Sequence, residues 1–384
     1  MYPSQLASNN LQSPQSPEEL AEALSAASGA GRTITLNGNS SKLRMAAPPV
    51  PSDVTITTAG LRRVLSYEPK DLTISVEAGM PYADLSRTLA ANRQMVPLDP
   101  PFAGSASVGG ILGANSSGPR RRLYGSARDL VIGMKFATLE GKLVQSGGMV
   151  VKNVAGLDMG KLLIGSFGTL AAIATVNFKL QPMPEVERLF PLVFQTLDAA
   201  AAARRTILAG VLLPSMIDLL NPKAAALVGL SGYVLAVQAG GNSAAIARYQ
   251  RELSAMGSLA DADAGLFERI QELTAAHLAA NPDGAVVRIS CSLSEVPGVV
   301  ASLDVPVVAR AGNGVCYAYF DRSQDAAQAV RANRKAIMEF GPGQPTADQE
   351  LWPTPGPDLE LMKRIKQMFD PRHLLNRGRF FRHI

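Results

Sequence analysis

Small residues crowd into one stretch of the chain that could bind an anion through its backbone. The segment SASVGGILGANSSGPRRR, residues 105–122, holds four glycines, four serines and an asparagine directly before three arginines. Peptide N–H groups left unshielded by small side chains can converge on a phosphate, and a helix that starts there adds its dipole. A loop that packs closely for structural reasons has the same composition. The segment therefore indicates either a diphosphate site or close packing.

A second small-residue loop, NGNSSK at residues 37–42, follows a β-branched stretch and supplies further donors. Two such loops suit a long ligand whose diphosphate lies between two subdomains. The familiar phosphate motifs are incomplete: the chain has no full G-x-G-x-x-G, and GLDMGKL from Gly156 is one residue short of a P-loop, with Leu162 where Ser or Thr would hold magnesium. The sequence thus argues against a classical dinucleotide fold and against nucleotide hydrolysis.

Metal-ligating residues are scarce. The histidines are His277, His373 and His383, and the cysteines are Cys291 and Cys316. Two cysteines cannot hold an iron–sulfur cluster or a four-ligand zinc site, and no His–His–Glu arrangement has a familiar spacing. His277, on a mostly apolar helix, is interpreted as a surface or core histidine. We predict no metal site, and no single catalytic residue can be named.

Composition and charge narrow the class of protein. The 384 residues are 47% hydrophobic and 18% charged, with a formal charge of +5. Basic residues are scattered apart from residues 120–122 and the C-terminal stretch, and they are not interleaved with stacking aromatics, so nucleic-acid binding is not favoured. No apolar run is long enough to span a bilayer, and the N-terminus lacks a signal-peptide pattern. We expect a cytoplasmic protein, or one peripheral at the inner membrane through partners.

The elements that would position these loops follow an α+β pattern. Residues 1–15 read as a mobile tail, and a helix begins after the N-cap Ser16, with Pro17 at its first position and Glu19 completing a capping box. Strands and helices then mix to residue 185. From residue 188 strands alternate with helices, including a final helix over 323–340, in two βαβ-like halves over a small sheet. The predicted domains are 16–185 and 188–340, and residues 341–384 form a linker and a return to the first domain.

The block from Pro100 to Pro184, which contains PPFAGSASVGGILGANSSGPRRRLYGSARD and GSFGTLAAIATVNF, resembles the FAD-binding domain of the vanillyl-alcohol oxidase and p-cresol methylhydroxylase (PCMH-type) superfamily. Within it, GPRR, YGSARD and KNVAGLD, together with the later DPRHLLNRGRF, resemble the FAD-binding E subunit of bacterial glycolate oxidase. Residues 190–340 carry no motif of this kind. The resemblance implies a two-part PCMH-type FAD-binding domain with a ferredoxin-like α/β cap.

The resemblance also implies which residues bind the cofactor. Residues 107–110 match the family's Thr-Ile-Gly-Gly turn, residues 165–174 match a segment beside the flavin or adenine, and 376–379 stand where the family has Asn-Pro-Gly-Lys. The first loop departs furthest, because LNGNSSK replaces Arg-Gly-Gly-Gly-Thr. The residues predicted to bind FAD are Gly38, Asn39, Ser40, Ser41, Pro101, Ser105, Ser107, Val108, Gly109, Gly110, Asn115, Gly118, Gly168, Ile173, Asn376 and Arg379.

FAD should be dissociable, because a covalent link in this superfamily needs a histidine or cysteine near the cradle. The resemblance implies the FAD-binding subunit of a glycolate (2-hydroxy acid) oxidase, which oxidises glycolate to glyoxylate and passes electrons through flavin to a partner iron–sulfur subunit, beside a catalytic flavoprotein subunit. Two alternatives stay open: a self-sufficient FAD-dependent dehydrogenase of another hydroxy acid or alcohol, and a flavin-free scaffold subunit. The arginines at 120–122 could hold an anion, face a partner or lie in solvent.

Overall fold

The computed structural model describes residues 10–47, 50–149, 158–333, 335–343, 351–381 and 384. Within these residues the chain divides into two compact units. The first unit comprises Met1–Ser117, Ser126–Met183 and Thr354–Ile384, and the second comprises Gly118–Gly125 and Pro184–Pro353. The sequence predicted the return of the C-terminal segment to the first domain. It assigned residues 118–125 and 341–353 differently, since contacts group both segments with the second unit.

The first unit contains the elements that line the candidate site. Its helices are α1 (Pro17–Gly29), α2 (Tyr82–Ala90), α3 (Val108–Gly113), α5 (Ala127–Leu130), α6 (Met159–Leu163) and α14 (Asp358–Phe369). Its strands are β1 (Leu11–Gln12), β2 (Ile34–Asn37), β3 (Val54–Thr57), β4 (Val64–Glu68), β5 (Thr73–Glu77), β6 (Gln94–Met95), β7 (Val131–Ala137), β8 (Leu143–Gly147), β9 (Ala172–Lys179) and β10 (Gln181–Pro182). Two short 3₁₀ turns, Thr58–Gly60 and Pro69–Asp71, lie among the described residues.

These strands form separate sheets in the described part of the unit. A parallel sheet has the order β1-β3-β2, an antiparallel sheet has the order β4-β5-β9-β7-β8, and β6 pairs with β10. Helix α1 starts as its sequence predicts, because the Ser16 hydroxyl accepts the backbone N–H of Glu19 at 3.1 Å. The Glu19 carboxylate accepts the N–H of Gln15 rather than that of Ser16. The buried face of α1, with Leu20 and Leu24, packs into a core shared with β2 and β3.

Part of the predicted mobile tail is a strand. Leu11 and Gln12 pair in parallel with Thr55 and Ile56 of β3, and the remaining tail residues 1–9 lie outside the described residues. Strand β1 is short, and both its residues are exposed. Its order comes from backbone hydrogen bonds to a partner more than forty residues away, which local composition does not reveal.

The second unit is built on one long antiparallel sheet. Its strands are β11 (Val186–Phe194), β12 (Met216–Leu220), β13 (Tyr233–Gly241), β14 (Ser258–Leu259), β15 (Ala285–Ser290), β16 (Val307–Arg310), β17 (Val315–Phe320) and β18 (Ala336–Phe340). Its helices are α4 (Arg121–Tyr124), α7 (Leu197–Ala209), α8 (Pro222–Leu227), α9 (Ser243–Ser254), α10 (Leu266–Gln271), α11 (Leu273–Ala280), α12 (Val296–Ala301) and α13 (Ser323–Ala332).

The strand order of this sheet shows two ferredoxin-like halves. Over the described residues the order is β14-β11-β13-β12-β16-β17-β15-β18. From the edge of the sheet to its middle, the first half has the order β14, β11, β13, β12, and the second half has the order β18, β15, β17, β16. The two halves meet where β12 pairs with β16. Each half therefore has β-α-β-β-α-β connectivity. The predicted helix over 323–340 is wrong in its last part: the helix ends at Ala332, and residues 336–340 form the outer strand of the second half.

Candidate functional site

A cleft in the first unit is the candidate site. It encloses about 880 Å³ of non-atom space, a figure that includes the part that opens to solvent. Four stretches of chain contribute to its walls: residues 35–43, 107–114, 167–173 and the C-terminal segment at 376–379, joined by Thr58. The cleft thus gathers both small-residue loops that the sequence singled out.

The loop after β2 supplies backbone donors. Ser40 has a φ of +58°, in the left-handed region. The N–H groups of Asn39, Ser40 and Ser41 donate no hydrogen bond to the described part of the chain. Successive unshielded N–H groups in a turn with a left-handed residue form a concave surface that attracts anions. This loop, which departs most from the family pattern in sequence, has the backbone geometry of an anion site.

The backbone of the glycine-rich loop is hydrogen-bonded within the protein at residues 108–110, which agrees with the close-packing alternative. The N–H of Val108 donates to the Met80 carbonyl at 2.9 Å, the N–H of Gly109 to the Ala78 carbonyl at 2.6 Å, and the N–H of Gly110 to the Ser107 hydroxyl at 3.2 Å. A Cβ on Gly109 would lie 2.9 Å from the Cβ of Ala78. Close packing therefore accounts for Gly109, and these N–H groups already have acceptors within the protein.

The wall formed by residues 167–173 contains two consecutive left-handed residues, Phe167 with φ +52° and Gly168 with φ +67°. A Cβ on Gly168 would lie 2.8 Å from Nδ2 of Asn376 and 3.2 Å from Cδ2 of Leu36. Gly168 therefore combines a backbone conformation that favours glycine with a close approach of two neighbouring segments. Ile173, at the start of β9, lines the cleft beside it.

The C-terminal segment holds the walls together. The side-chain carbonyl of Asn376 accepts the N–H of Leu36 at 2.7 Å, and its amide donates to the carbonyls of Leu36 at 3.1 Å and of Phe167 at 2.7 Å. Arg379 donates to the Met45 carbonyl at 3.0 Å, and its guanidinium carbon lies 5.4 Å from the centre of the Phe167 ring. Asn376 thus fixes the cleft, and Arg379 adds positive charge to it.

The structure brings most of the predicted residues together. Those that line the cleft are Gly38, Asn39, Ser40, Ser41, Ser107, Gly109, Gly110, Gly168, Ile173, Asn376 and Arg379. Pro101, Ser105, Val108, Asn115 and Gly118 do not line it. Val108 is buried in the hydrophobic core, Ser105 is exposed, and Gly118 belongs to the second unit. Asn115 instead packs beside Gly165, since a Cβ on that glycine would lie 3.4 Å from the Asn115 Cβ.

Sequence reasoning missed other residues of the cleft. They are Thr35, Leu36, Asn37, Lys42, Leu43, Thr58, Gly113, Ala114, Phe167 and Ala171. Most lie within or beside the segments named in the sequence analysis, which did not single them out as binding residues. Thr58 carries no local signal; its hydroxyl lies 3.4 Å from the carbonyl of Asn37. Only the pairing of β2 with β3 brings it to the loop.

Titratable groups are sparse around the cleft. None of the described residues that line it is a histidine or a cysteine. In the part of the chain that the structure describes, no three His, Cys, Asp or Glu side chains are grouped as metal ligands. His277 is a core histidine, because it is buried and its Nε2 lies 3.0 Å from the Phe320 carbonyl. Burial raises the pKa of both Cys291 and Cys316, which weakens them as nucleophiles at neutral pH.

One face of the second unit's sheet carries buried polar groups that sequence analysis did not single out. Asp218 and Arg310 stand directly opposite each other on β12 and β16 and form an ion pair. The guanidinium carbon of Arg310 lies 5.5 Å from the Tyr317 ring centre. Burial raises the pKa of Tyr319 and of Glu339. Strand alternation places Arg310, Tyr317 and Tyr319 on the same face, but the Asp218 carboxylate already compensates the Arg310 charge.

Comparison with known protein families identifies the chain. Residues 11–147 match the family described as FAD binding domain, and residues 354–380 match the C-terminal domain of FAD linked oxidases. The first match includes residues 35–43 and 107–114, which line the cleft, and the second match includes the C-terminal segment at 376–379. The chain therefore carries an FAD-binding domain and the C-terminal segment of FAD linked oxidases. FAD is accordingly its cofactor, and the cleft fits the cofactor through the N–H groups of residues 39–41, which have no acceptor among the described residues, and through the positive charge of Arg379.

The relatives of this chain include subunits of one kind of enzyme. The chain is 25% identical over 413 residues to glycolate oxidase subunit GlcD of Bacillus subtilis, covering 96% of the chain and 88% of that relative. It is 34% identical over 152 residues to glycolate oxidase subunit GlcE of Escherichia coli, covering 39% of the chain and 43% of that relative.

A solved structure of alkyldihydroxyacetonephosphate synthase has the same fold as this chain. The TM-score is 0.70 at 16% identity, and the match covers 95% of the chain and 75% of the synthase. At that identity the likeness concerns the fold alone. The ferredoxin-like cap and the FAD-binding unit expected from the sequence are therefore confirmed as the fold class. Among the described residues, no helix has the length and apolar character needed to cross a membrane.

Proposed function

We propose that this chain binds FAD non-covalently in the cleft and serves as a flavoprotein subunit of a glycolate-type 2-hydroxy acid oxidase. One observation carries the assignment of the cofactor site: residues 39–41, whose N–H groups donate no hydrogen bond to the described residues, line a cleft that the left-handed pair Phe167 and Gly168 and the C-terminal segment complete. The names of the relatives support the class of substrate, a small 2-hydroxy acid.

In this proposal the residues of the cleft bind and orient the cofactor. The N–H groups of Asn39, Ser40 and Ser41 hold the diphosphate, and Arg379 contributes positive charge that favours an anionic group. Phe167, Ala171 and Ile173 present apolar surface to a flat ring. When bound, FAD supplies the acceptor for the two electrons of an alcohol oxidation. The absence of a histidine or cysteine among the described lining residues supports non-covalent binding.

The partners of this subunit would be a catalytic flavoprotein and an iron–sulfur protein. Single-electron transfer away from a flavin requires a one-electron carrier such as a cluster, and the chain has two cysteines where a cluster uses four. The base for the substrate hydroxyl and the cation for its carboxylate would then reside in the catalytic flavoprotein. This division of labour agrees with the absence of a grouped metal-ligand set in the described residues.

The visible absorption spectrum of the purified full chain tests the cofactor assignment. We expect flavin bands that move entirely into the supernatant when the protein is precipitated with acid. Flavin that remains in the precipitate would contradict non-covalent binding. A chain that stays colourless after incubation with FAD would contradict the whole proposal and would favour the flavin-free scaffold.

A self-sufficient dehydrogenase of another hydroxy acid or alcohol is the second candidate. The buried Arg310 and Tyr319 and the half-buried Tyr317 on one face of the sheet favour it, because a cation and hydroxyl groups could recognise a hydroxy acid. The ion pair with Asp218 disfavours it, since the guanidinium is already compensated. Turnover of 2-hydroxy acids by the isolated flavin-loaded chain with an artificial electron acceptor would support this candidate. Turnover only in the assembled complex would support the subunit role.

A further inference from the structure

Two threonine hydroxyl groups contact the backbone of the loop that follows β2. Thr57, the last residue of β3, pairs with Asn37 in the parallel sheet. Its hydroxyl donates to the Gly38 carbonyl at 3.1 Å and accepts the backbone N–H of Ala59 at 3.2 Å. The Thr58 hydroxyl lies 3.4 Å from the Asn37 carbonyl. The carbonyl groups at the start of the loop are therefore bound by side chains at the end of β3.

The Thr57 hydroxyl belongs to a closely packed segment. Thr57 is buried, and its hydroxyl caps the 3₁₀ turn Thr58–Gly60. Backbone from β5 onward presses on this turn, because a Cβ on Gly79 would collide with the Thr58 carbonyl and would lie 2.8 Å from the Leu61 carbonyl. The hydroxyl group is therefore held by neighbouring backbone with little freedom to move.

Close packing also requires a glycine at position 38. A Cβ on Gly38 would collide with the Ser107 hydroxyl oxygen and would lie 3.5 Å from the Thr58 hydroxyl oxygen. Glycine leaves the backbone torsions weakly defined, and the next residue, Asn39, is of a type that tolerates left-handed backbone. The peptide group between Gly38 and Asn39 can consequently invert at low energetic cost. The residue types of the loop alone therefore do not fix which way this peptide points.

The hydrogen bond from Thr57 selects one orientation of this peptide. The peptide is trans, so its carbonyl and its N–H point in opposite directions. Because the Gly38 carbonyl accepts the Thr57 hydroxyl, the Asn39 N–H points away from Thr57. Asn39 lines the cleft and Thr57 does not, and the Asn39 N–H donates no hydrogen bond to the described residues. An inverted peptide would exchange this donor for a carbonyl oxygen, which repels an anion.

We propose that Thr57 is a positioning residue for the cofactor: its hydroxyl holds the peptide between Gly38 and Asn39 so that the Asn39 N–H is available to the diphosphate of FAD. The inference rests on the proposed function, which assigns the diphosphate to residues 39–41. Thr57 acts through the backbone of the loop and does not touch the cofactor. If its hydroxyl served only as the cap of the 3₁₀ turn, its removal would change the stability of the fold and leave the diphosphate unaffected.

The test compares variants of the full chain with and without this hydroxyl. Thr57→Val and Thr57→Ala remove the hydroxyl, and Thr57→Ser keeps it. Thr33→Val is the matched control, because the Thr33 hydroxyl also donates and accepts at once, to the Asp53 carboxylate and from the Asp53 N–H, and neither residue lines the cleft. Flavin fluorescence measures the dissociation constant of FAD, thermal melts measure stability, and phosphorus NMR of the FAD-saturated protein reports the environment of the diphosphate.

We expect Thr57→Val to raise the dissociation constant of FAD by about 10- to 100-fold, as for the loss of one hydrogen bond to a charged group. Thr57→Ala should do the same, and it keeps the test decisive if a methyl group against the Gly38 carbonyl prevents Thr57→Val from folding. The phosphorus resonances of bound FAD should shift in both variants. Thr57→Ser should bind FAD as tightly as the wild type, and Thr33→Val should lower the melting temperature without weakening FAD binding.

Four outcomes would overturn the inference. Wild-type affinity in both Thr57→Val and Thr57→Ala would leave Thr57 as a cap of the turn, while the proposed function stands. Equally weak binding by Thr57→Ser would attribute the effect to packing of the threonine methyl group. Weaker binding with unshifted phosphorus resonances would locate the effect away from the diphosphate. A wild-type chain that binds no FAD would contradict the proposed function and the inference together.

Discussion

The ammonium of Lys366 lies 2.7 Å from a carboxylate oxygen of Asp370, and both side chains are almost completely excluded from solvent. The ammonium also donates to the carbonyls of Thr169 and Leu375, each at 2.8 Å. The Asp370 carboxylate accepts the backbone N–H groups of Leu374 and Leu375. This buried pair therefore joins three parts of the first unit: helix α14, residues 374–375 directly before Asn376, and Thr169 in the wall formed by residues 167–173.

Removing one member of this pair should destabilise the first unit strongly. Lys366→Met leaves the Asp370 carboxylate buried without its cation, which we expect to lower the free energy of unfolding by about 3–5 kcal/mol. Denaturant unfolding followed by circular dichroism measures the change. Lys363→Met is the matched control, because Lys363 and Glu360 form an exposed pair on the same helix, which should contribute less than about 1 kcal/mol. Equal midpoints for the two variants would contradict the prediction.

Replacing Asn376 should weaken FAD binding more than it weakens the fold. Asn376→Leu removes the hydrogen bonds to Leu36 and Phe167, each worth about 0.5–1.5 kcal/mol, and so frees two walls of the cleft. We expect the dissociation constant of FAD to rise by about 10- to 100-fold. Titration of the apo chain with FAD, followed by flavin fluorescence, measures it. Arg377→Met is the control, since that side chain contacts the Pro51 carbonyl and does not line the cleft; a similar loss there would refute a specific role for Asn376.

A methyl group at Gly168 should be poorly tolerated. Gly168→Ala forces a left-handed conformation on alanine and brings the new Cβ within 2.8 Å of the Asn376 amide, so we expect a loss of about 1–3 kcal/mol in stability together with weaker FAD binding. Gly29→Ala serves for comparison, because that glycine has open space around its Cβ position and no left-handed backbone. Thermal melts with and without FAD measure both effects. Unchanged binding by Gly168→Ala would mean that this wall does not contact the cofactor.

Acid should weaken the second unit through Glu295. Its carboxylate accepts the backbone N–H of Ser292 at 2.7 Å, as well as the Ser292 hydroxyl and the Lys335 ammonium, and these contacts lower the pKa of Glu295 from 4.5 to about 2. A carboxyl group whose pKa is lower in the folded state stabilises the fold fully above 4.5, and this contribution is lost as the pH falls toward 2.

Comparison of the wild type with Glu295→Gln isolates this contribution. The difference in their free energies of unfolding should be constant above pH 5 and should shrink between pH 4.5 and about 2. Urea unfolding across that range measures the difference, and an NMR titration of the glutamate side chains reports the pKa directly. A difference that persists undiminished at pH 2 would show that Glu295 stabilises the fold by another route.

The sequence predicted those structural features that depend on residues close together in the chain. The cap at Ser16 follows from residue types within a few positions, and the two βαβ-like halves follow from alternating patterns. The availability of a backbone N–H depends instead on distant carbonyls. Nothing in the sequence near Gly109 indicates that Ala78 accepts its N–H, so the diphosphate donors were predicted mainly in that loop rather than in the loop at 39–41. The strand at 336–340 was missed because it continues a helix-like pattern and forms only beside β15.

The bonds from Asn376 to Leu36 span 340 residues of sequence. During synthesis the early loops of the FAD-binding unit leave the ribosome long before the segment that joins their walls, and the whole second unit is made in between. The second unit can therefore begin to fold while the first is still open. We therefore expect cofactor loading to follow synthesis of the segment around Asn376, and a nascent chain stalled before that segment should be colourless.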